Sequence, residues 1–263
     1  SHQNQGYRLR RFLEFCSEHE IEEMNSLTGR DLHRYRTWRS KDVQPVTLQG
    51  ELQTFRVFLE FCASIEAVEP GLRERVKLPE VDPEQEARDV LIEADRAEDI
   101  IDHLERFSYA SRDHVIIALL WHTGIRLGSL RTFDVEDFDP DQQCLDLRHQ
   151  PESNTPLKNK QAAERSIAVG PHYCEVIQDY IDHNRQESTD DHGRHPLITS
   201  QYGRLSDPSI RETIYRLTQP CEIGECPHDK DPETCEWRQH SQRAGCPSSH
   251  SPHDIRRGSI TQH

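Results

Sequence analysis

The sequence predicts a mainly α-helical chain with one small antiparallel β-sheet, an α+β class. Apolar residues recur at helical spacing through most of the chain up to Trp121. Between Phe133 and Val169 that spacing gives way to short apolar pieces around a polar turn, the pattern of paired strands. An acidic, proline-punctuated stretch from Leu78 to Arg88, with Pro79 and Pro83, interrupts the helical pattern. It divides the 263 residues into two domains, 1–80 and 81–263, as a chain of this length leads one to expect.

In chain order, Leu9, Phe12, Leu13, Phe15 and Cys16 fall on one face of a first helix. Thr28 caps a second segment that runs through Trp38, and Leu48, Leu52, Phe55, Phe58, Leu59 and Cys62 line another. The pentapeptide Phe-Leu-Glu-Phe-Cys occurs at 12–16 and again at 58–62, which suggests two similar helices in one bundle. Beyond the linker, Asp95 and Glu98 form a capping-box pair opening a helix to about Phe107. Ser111 then starts an apolar helix, Val115 to Trp121, which Thr123-Gly124 ends. Cys144 to Leu147 and Ser166 to Val169 are the strand candidates, with Lys158-Asn159-Lys160 in the turn between them. Helical signals return at Tyr173 to His183 and after Ser206, where Pro208 suits a first helical turn.

Composition sets limits on the partners. Only 33% of residues are hydrophobic, 30% are charged, and 32 basic against 47 acidic side chains leave a net charge of −15, the wrong sign for a DNA binder. The cations are lopsided: Lys41, Lys77, Lys158, Lys160 and Lys230 are the lysines, and the other 27 are arginines. Acidic excess with scarce lysine and a single methionine suits a salt-rich cytoplasm, where screening over about 3 Å at 1 M salt confines the repulsion of DNA to contact range. The plainer alternative is an acidic protein with no nucleic-acid partner. No run of 18 apolar residues spans a membrane, and the first residues lack the layout of a signal peptide, so a cytoplasmic protein is expected. In that reducing compartment the clustering of the eight cysteines argues for metal rather than disulfides.

Two short segments carry the chemistry. In His122-Thr123-Gly124-Ile125-Arg126 an arginine follows the glycine turn that closes a buried helix, so packing fixes its backbone while its guanidinium projects outward. In Pro252-His253-Asp254-Ile255-Arg256-Arg257, His253 and Arg256 stand three apart and share a helix face. Guanidinium forks match phosphate oxygens with two parallel hydrogen bonds, and an imidazole can donate or accept a proton near neutral pH. Alone, an arginine near a helix C-terminus is usually only a partner for the helix dipole. His-x-x-Arg likewise arises by chance among 16 histidines and 27 arginines.

Taken together, the Thr-Gly-x-Arg box, the lysine turn, the distant His-x-x-Arg box and an all-helical first domain closely resemble the tyrosine recombinases, the phage-integrase family, which cut and rejoin DNA. The resemblance implies a SAM-like helical core-binding domain over residues 1–80 that closes on double-stranded DNA, and an integrase-like catalytic domain over 81–263. It implies that Arg126, Arg256 and His253 hold the scissile phosphate and that Lys158 protonates the departing 5′-oxygen, with Lys160 as its rival. Thr155-Pro156-Leu157-Lys158 is similar to the family's entrance to that turn, and Arg165, Ile167 and Val169 are similar to its returning strand. An ordinary solvated hairpin is the competing account of both lysines.

The resemblance further implies a homo-tetramer on paired DNA sites, no catalytic metal, no nucleotide, and a mobile element of a haloarchaeon as the setting. Two departures matter. Ser129 stands where the family often has an acidic residue to orient the first arginine, leaving Glu136, Asp137 or a backbone carbonyl as substitutes. Tyr173, Tyr180, Tyr202 and Tyr215 all precede the second box, so none matches the nucleophile, and residues 1–263 are expected to bind DNA without cleaving it. The alternative function is a catalytically inactive DNA-binding protein, or a zinc-containing regulator derived from an integrase.

Cys221, Cys226, Cys235 and Cys246 fall within a polar segment, 221–250, that has no core of its own. Four thiolates in so short a stretch are what a tetrahedral structural Zn²⁺ site requires, although the spacing is looser than in zinc knuckles. His228 or His240 replacing one thiolate, or thiols that are merely buried or redox-active, are the alternatives. Cys246 lies seven residues before His253, so metal binding there would set the position of the second box. The segment resembles cysteine-bearing insertions of integrase-like proteins from halophilic archaea. Cys16, Cys62, Cys144 and Cys174 lie within apolar patterns and are expected in the core.

Overall fold

The computed structural model describes residues 2–81 and 90–262, with side chains from residue 5. The chain divides into two compact units, Ser1–Asp89 and Val90–His263. Of the expected linker, Pro83 and Arg88 lie outside the described residues.

The first unit contains α1 (His2–Glu18), α2 (Gly29–Arg39), α3 (Pro45–Ser64) and the single turn α4 (Leu72–Arg75). Thr28 starts α2 as expected: its hydroxyl accepts from the Asp31 N–H, and the Asp31 carboxylate accepts from the Thr28 N–H, which satisfies two donors that a helix start leaves open. Phe12, Phe15, Tyr35, Leu52 and Phe55 make the centre of the core, with the Phe12 ring 4.3 Å from Phe55 and 5.2 Å edge-on to Tyr35. The two copies of the pentapeptide are not equivalent. The stripe through Phe12, Phe15 and Cys16 leaves Leu13, expected on the buried face, 64% exposed; in α3 Leu59 and Cys62 are buried while Phe61 faces solvent. Inside this unit Arg39 and Glu51 form a buried two-point ion pair, with Nε and Nη2 donating at 2.7 and 2.9 Å.

The second unit opens with α5 (Ala94–Phe107). Asp95 and Glu98 do not cap it. Glu93 stands at the cap without a side-chain bond, and Asp95 falls in the first turn, where its charge suits the positive end of the helix dipole. Next comes α6 (Arg112–Thr123), started by the Ser111 hydroxyl accepting from the His114 N–H at 3.2 Å. Every residue from His114 to Trp121 is buried, so α6 is the central rod of this unit. Gly124 closes it in the left-handed conformation at φ +56°, a position that favours glycine. After Ile125 and Arg126 the short α7 (Leu127–Thr132) begins, with Arg126 at its N-cap.

The sheet is antiparallel, β1 (Phe138–Asp139), β2 (Cys144–Leu147) and β3 (Arg165–Ala168) in that order, with Leu145 opposite Ile167 and Leu147 opposite Arg165. Helix α8 (Gly170–Asp179) runs on into a π-helical turn, Tyr180–Asn184, which together span the expected 173–183 helix. A second hairpin, β4 (Thr199–Ser200) with β5 (Gly203–Arg204), was not expected, because two-residue strands are too short to show alternation. Ser206 caps α9 (Asp207–Thr218), with Pro208 in the first turn as expected. The fold is therefore mainly helical with small antiparallel sheets, as the sequence predicts. Among the described residues no helix is long and apolar enough to cross a membrane.

The last helix, α10 (Pro252–Gln262), is started by a reciprocal pair, Ser251 N–H to the Asp254 carboxylate at 2.7 Å and Asp254 N–H to the Ser251 hydroxyl at 3.3 Å. It packs on α6 at glycine distance. A Cβ built on Gly258 would lie 2.4 Å from the Ile92 carbonyl oxygen and 2.9 Å from the Trp121 ring. Backbone cannot step aside as a flexible side chain can. Gly258→Ala is therefore expected to cost about 1–3 kcal/mol of stability, as overpacking does, read as a lower denaturation midpoint by circular dichroism. An unchanged midpoint would show that α10 is free to shift.

Candidate phosphate-binding site

The two arginine boxes, 130 residues apart in the chain, meet at the end of α6. Arg256 is half-buried on α10, and its Nη1 donates to the carbonyl oxygen of Gly124. That carbonyl sits two residues before Arg126, which is exposed at the N-cap of α7. The approach is close on the α10 side as well: a Cβ on Gly124 would meet the Ser259 hydroxyl at 2.9 Å. Burial, and after it the positive charges of Arg126 and Arg165, hold the Arg256 guanidinium below its usual range. Neither Arg126 nor Arg256 has an ion-pair partner among the described residues.

Like charges brought together without counter-ions raise the energy of the empty site, and an anion relieves it. Arg165, which opens β3, is the member of this group that no sequence box singled out. Its exposed place two positions before the buried Ile167 was the available signal.

The substitutes considered for the missing acid at Ser129 are engaged elsewhere. Glu136 pairs with His195 at 2.5 Å, and Asp137 accepts from the Asp134 N–H at 2.9 Å. The backbone carbonyl that does serve, at Gly124, orients the second arginine rather than the first. Ser129 itself donates its N–H to the Arg126 carbonyl at 2.8 Å, within the first turn of α7.

Lys158 and His253 are placed but not bonded to the arginines. Lys158 is exposed in the turn between β2 and β3, just after buried Leu157, whose N–H is taken by His149 Nδ1 at 2.9 Å. Lys160 is exposed too, in the left-handed conformation at φ +53°. His253 is exposed in the first turn of α10, three residues before Arg256. Among the described residues no hydrogen bond or ion pair joins Lys158 or His253 to Arg126 or Arg256.

The cysteine segment is a strap whose two ends are tied together. Thr218 Oγ1, at the end of α9, accepts from the His250 N–H at 2.9 Å, and the Gln219 side chain donates to the Trp237 carbonyl at 2.8 Å. Cys246 is buried, while Cys221, Cys226 and Cys235 are half-buried. Burial pushes the Cys246 thiol up, the Ser248 N–H opposes this, and the charges of Cys221 and Cys226 add to it. Arg238 Nη1 lies 3.5 Å from the Cys221 sulfur, and His228 Nε2 is bonded to the Ser248 hydroxyl at 2.9 Å. As placed, no three His, Cys, Asp or Glu side chains among the described residues form a set that could hold one metal ion. Cys16, Cys62 and Cys174 are buried and Cys144 is half-buried.

The model of the phage integrase family matches residues 91–262. Among solved structures, the Tn1549 transposon integrase in complex with a circular intermediate DNA is similar at TM-score 0.69 and 13% identity, over 100% of this chain and 81% of that one. A lambda integrase dimer bound to a COC′ core site is similar at TM-score 0.65 and 11% identity, over 98% and 80%. At such identities the likeness is one of fold. The N-terminal domain of a phage integrase/site-specific recombinase from Haloarcula marismortui is 42% identical over 29% of this chain and 75% of that one, at TM-score 0.29. No curated protein matches the sequence.

Proposed function

The chain belongs to the phage integrase family, the tyrosine recombinases, and from that premise we propose that residues 90–262 carry the phosphate grip of a site-specific DNA recombinase. The observation that carries the reading is the convergence of Arg126 and Arg256 on the end of α6, with Arg256 held by the Gly124 carbonyl and, among the described residues, no carboxylate paired to either. Two guanidiniums at one helix end, that of Arg256 already held by a carbonyl before the DNA arrives, are suited to the charge that gathers on non-bridging oxygens as phosphorus becomes pentacoordinate. Their backbones are set by a buried helix end and a glycine contact, which limits the reorganisation needed at the moment of reaction.

In the proposed mechanism Arg126 and Arg256 each donate to the scissile phosphate, and His253, on the exposed first turn of α10, donates or accepts a proton beside it. Lys158, projecting from the β2–β3 turn, gives its proton to the departing 5′-oxygen. A tyrosine hydroxyl attacks phosphorus, the P–O5′ bond breaks, and the 3′-phosphate is kept as a tyrosyl ester; reversal with a new 5′-hydroxyl rejoins the strand. Double-stranded DNA is the proposed partner, the first unit its clamp, and a homo-tetramer on paired sites the proposed assembly. The strongly acidic composition suits a salt-rich medium, where repulsion of DNA is screened.

For the strap we propose a structural Zn²⁺ held by Cys221, Cys226, Cys235 and Cys246. The confinement of four thiols to one strap pinned at both ends supports it. The ion would tie the strap to the start of α10; no catalytic step runs through it.

Two outcomes test these proposals. Expressed from its complete gene, the protein is expected to be trapped covalently on a nicked suicide duplex. Arg126→Ala and Arg256→Ala are expected to lower trapping at least about 100-fold, as removal of a charge-stabilising donor does, with duplex affinity little changed. Wild-type trapping by either variant would remove the assignment, and duplex binding with no trapping by any version would favour the non-cleaving DNA-binding protein. Metal analysis is expected to find about one zinc per chain, lost in Cys221→Ser/Cys226→Ser. Protein purified without zinc would end the four-thiolate proposal.

A further inference from the structure

A cluster of largely buried charged side chains with no place in the mechanism so far lies beside the lysine turn. Arg204, on β5, is 5% exposed and serves two groups at once. Its Nη1 donates to the carbonyl oxygens of Arg131 and Phe133, at 2.8 and 3.2 Å, where α7 ends. Its Nε and Nη2 bind the Asp190 carboxylate at 3.1 and 2.9 Å, and Nη2 also reaches Asp134. Arg194 shares both carboxylates, lying 3.3 Å from each. The rest of its fork points at the turn: Nη2 donates to the Thr155 hydroxyl at 3.1 Å, and Nη1 to the Gln150 side-chain oxygen.

Gln150 and Thr155 are themselves paired backbone to backbone, at 3.2 and 3.0 Å, and form the base from which Lys158 projects. The cluster thus bonds the C-terminal end of α7, the helix that Arg126 begins, to the root of the segment that carries Lys158. Buried ion clusters rarely add net stability, so the retention of four charges here calls for a role in geometry. The Asp190 charge also persists across working pH: burial raises its carboxyl, but Arg204 and the N–H groups of Arg194 and His192 outweigh it and bring it down to about 2.

We propose that Arg194, seated on Asp134 and Asp190 and locked by Arg204, is a positioning residue that sets the Lys158 turn against the helix begun by Arg126. This rests on the reading of Lys158 as a side chain that meets DNA phosphate. A planar fork fixes two acceptors at a set angle, which a point charge does not, so Arg194 transmits the orientation of the α7 end to Gln150 and Thr155. Arg194 touches no DNA in this scheme and acts through the turn alone.

The salt dependence of binding to a short duplex of arbitrary sequence tests this on the chain as it stands. A lysine on a phosphate adds about one unit to the slope of log affinity against log salt. Lys158→Ala is expected to lower the slope by about one unit, and Arg194→Met to do the same. Lys158→Ala/Arg194→Met is expected to lose no more than either alone, because both remove the same contact. Thr155→Val removes one acceptor from the fork and leaves the charges in place; it is expected to lower the slope in the same direction, and it carries the comparison should Arg194→Met not fold.

A wild-type slope in both Arg194→Met and Thr155→Val, beside a lowered slope in Lys158→Ala, overturns the positioning role and leaves the lysine reading intact. Additive losses in the double variant overturn it also, since a general electrostatic effect of Arg194 would add. An unchanged slope in Lys158→Ala overturns the lysine reading, and the positioning role with it.

Discussion

The hydrogen bond from the Arg256 guanidinium to the Gly124 carbonyl is the contact on which the rest of the second unit turns. It exists because a buried helix stops where it does. Gly124 takes the left-handed conformation, so α6 ends with its last carbonyl free to face α10, and no side chain at 124 stands between them. Gly258 lets α10 come to backbone distance of Ile92 on the other side. Two glycines, each required by a close approach, thereby bring an arginine from the end of the chain beside one from its middle.

The electrostatic consequence runs against the composition. In a protein of net charge −15, Arg126 and Arg256 have no carboxylate partner among the described residues, while many of its other arginines are paired with acids or carbonyls. The Arg256 guanidinium is disfavoured by burial and by two like charges. An anion between the guanidiniums offsets the repulsion between them, so part of what binding phosphate returns is relief of that repulsion. Elsewhere the same residue type serves structure: Arg39 is closed by Glu51, and Arg204 by Asp134 and Asp190.

What could be read from the sequence followed from how local each cause is. Thr28, Ser111 and Gly124 act within a turn of their own helices, so their caps were legible, and the apolar run from Val115 to Trp121 announced a buried rod. Asp95 carried the right residue type one or two positions from where the helix begins. Leu13 was misplaced because a stripe wide enough for Phe12, Phe15 and Cys16 leaves it on the other side, which spacing alone does not decide. At the site, Arg126 and Arg256 stood out by motif, whereas Arg165, Arg194 and Arg204 look like solvated loop or strand charges. Their partners come from segments up to about seventy residues away, as in the bond from Arg204 to Asp134, and no periodicity records them. In the strap the cysteine spacing was legible, whereas the bonds that pin its ends, Thr218 to His250 and Gln219 to Trp237, join side chains to backbone groups that no spacing records.

The account stands most directly on where the two guanidiniums go when DNA is bound. A crystal structure of the chain with duplex DNA is expected to show nitrogens of Arg126 and Arg256 within about 2.7–3.2 Å of oxygens of one and the same phosphate, with Arg256 still bonded to Gly124. Contacts to two different phosphates, or an Arg256 turned away from the DNA, would contradict it.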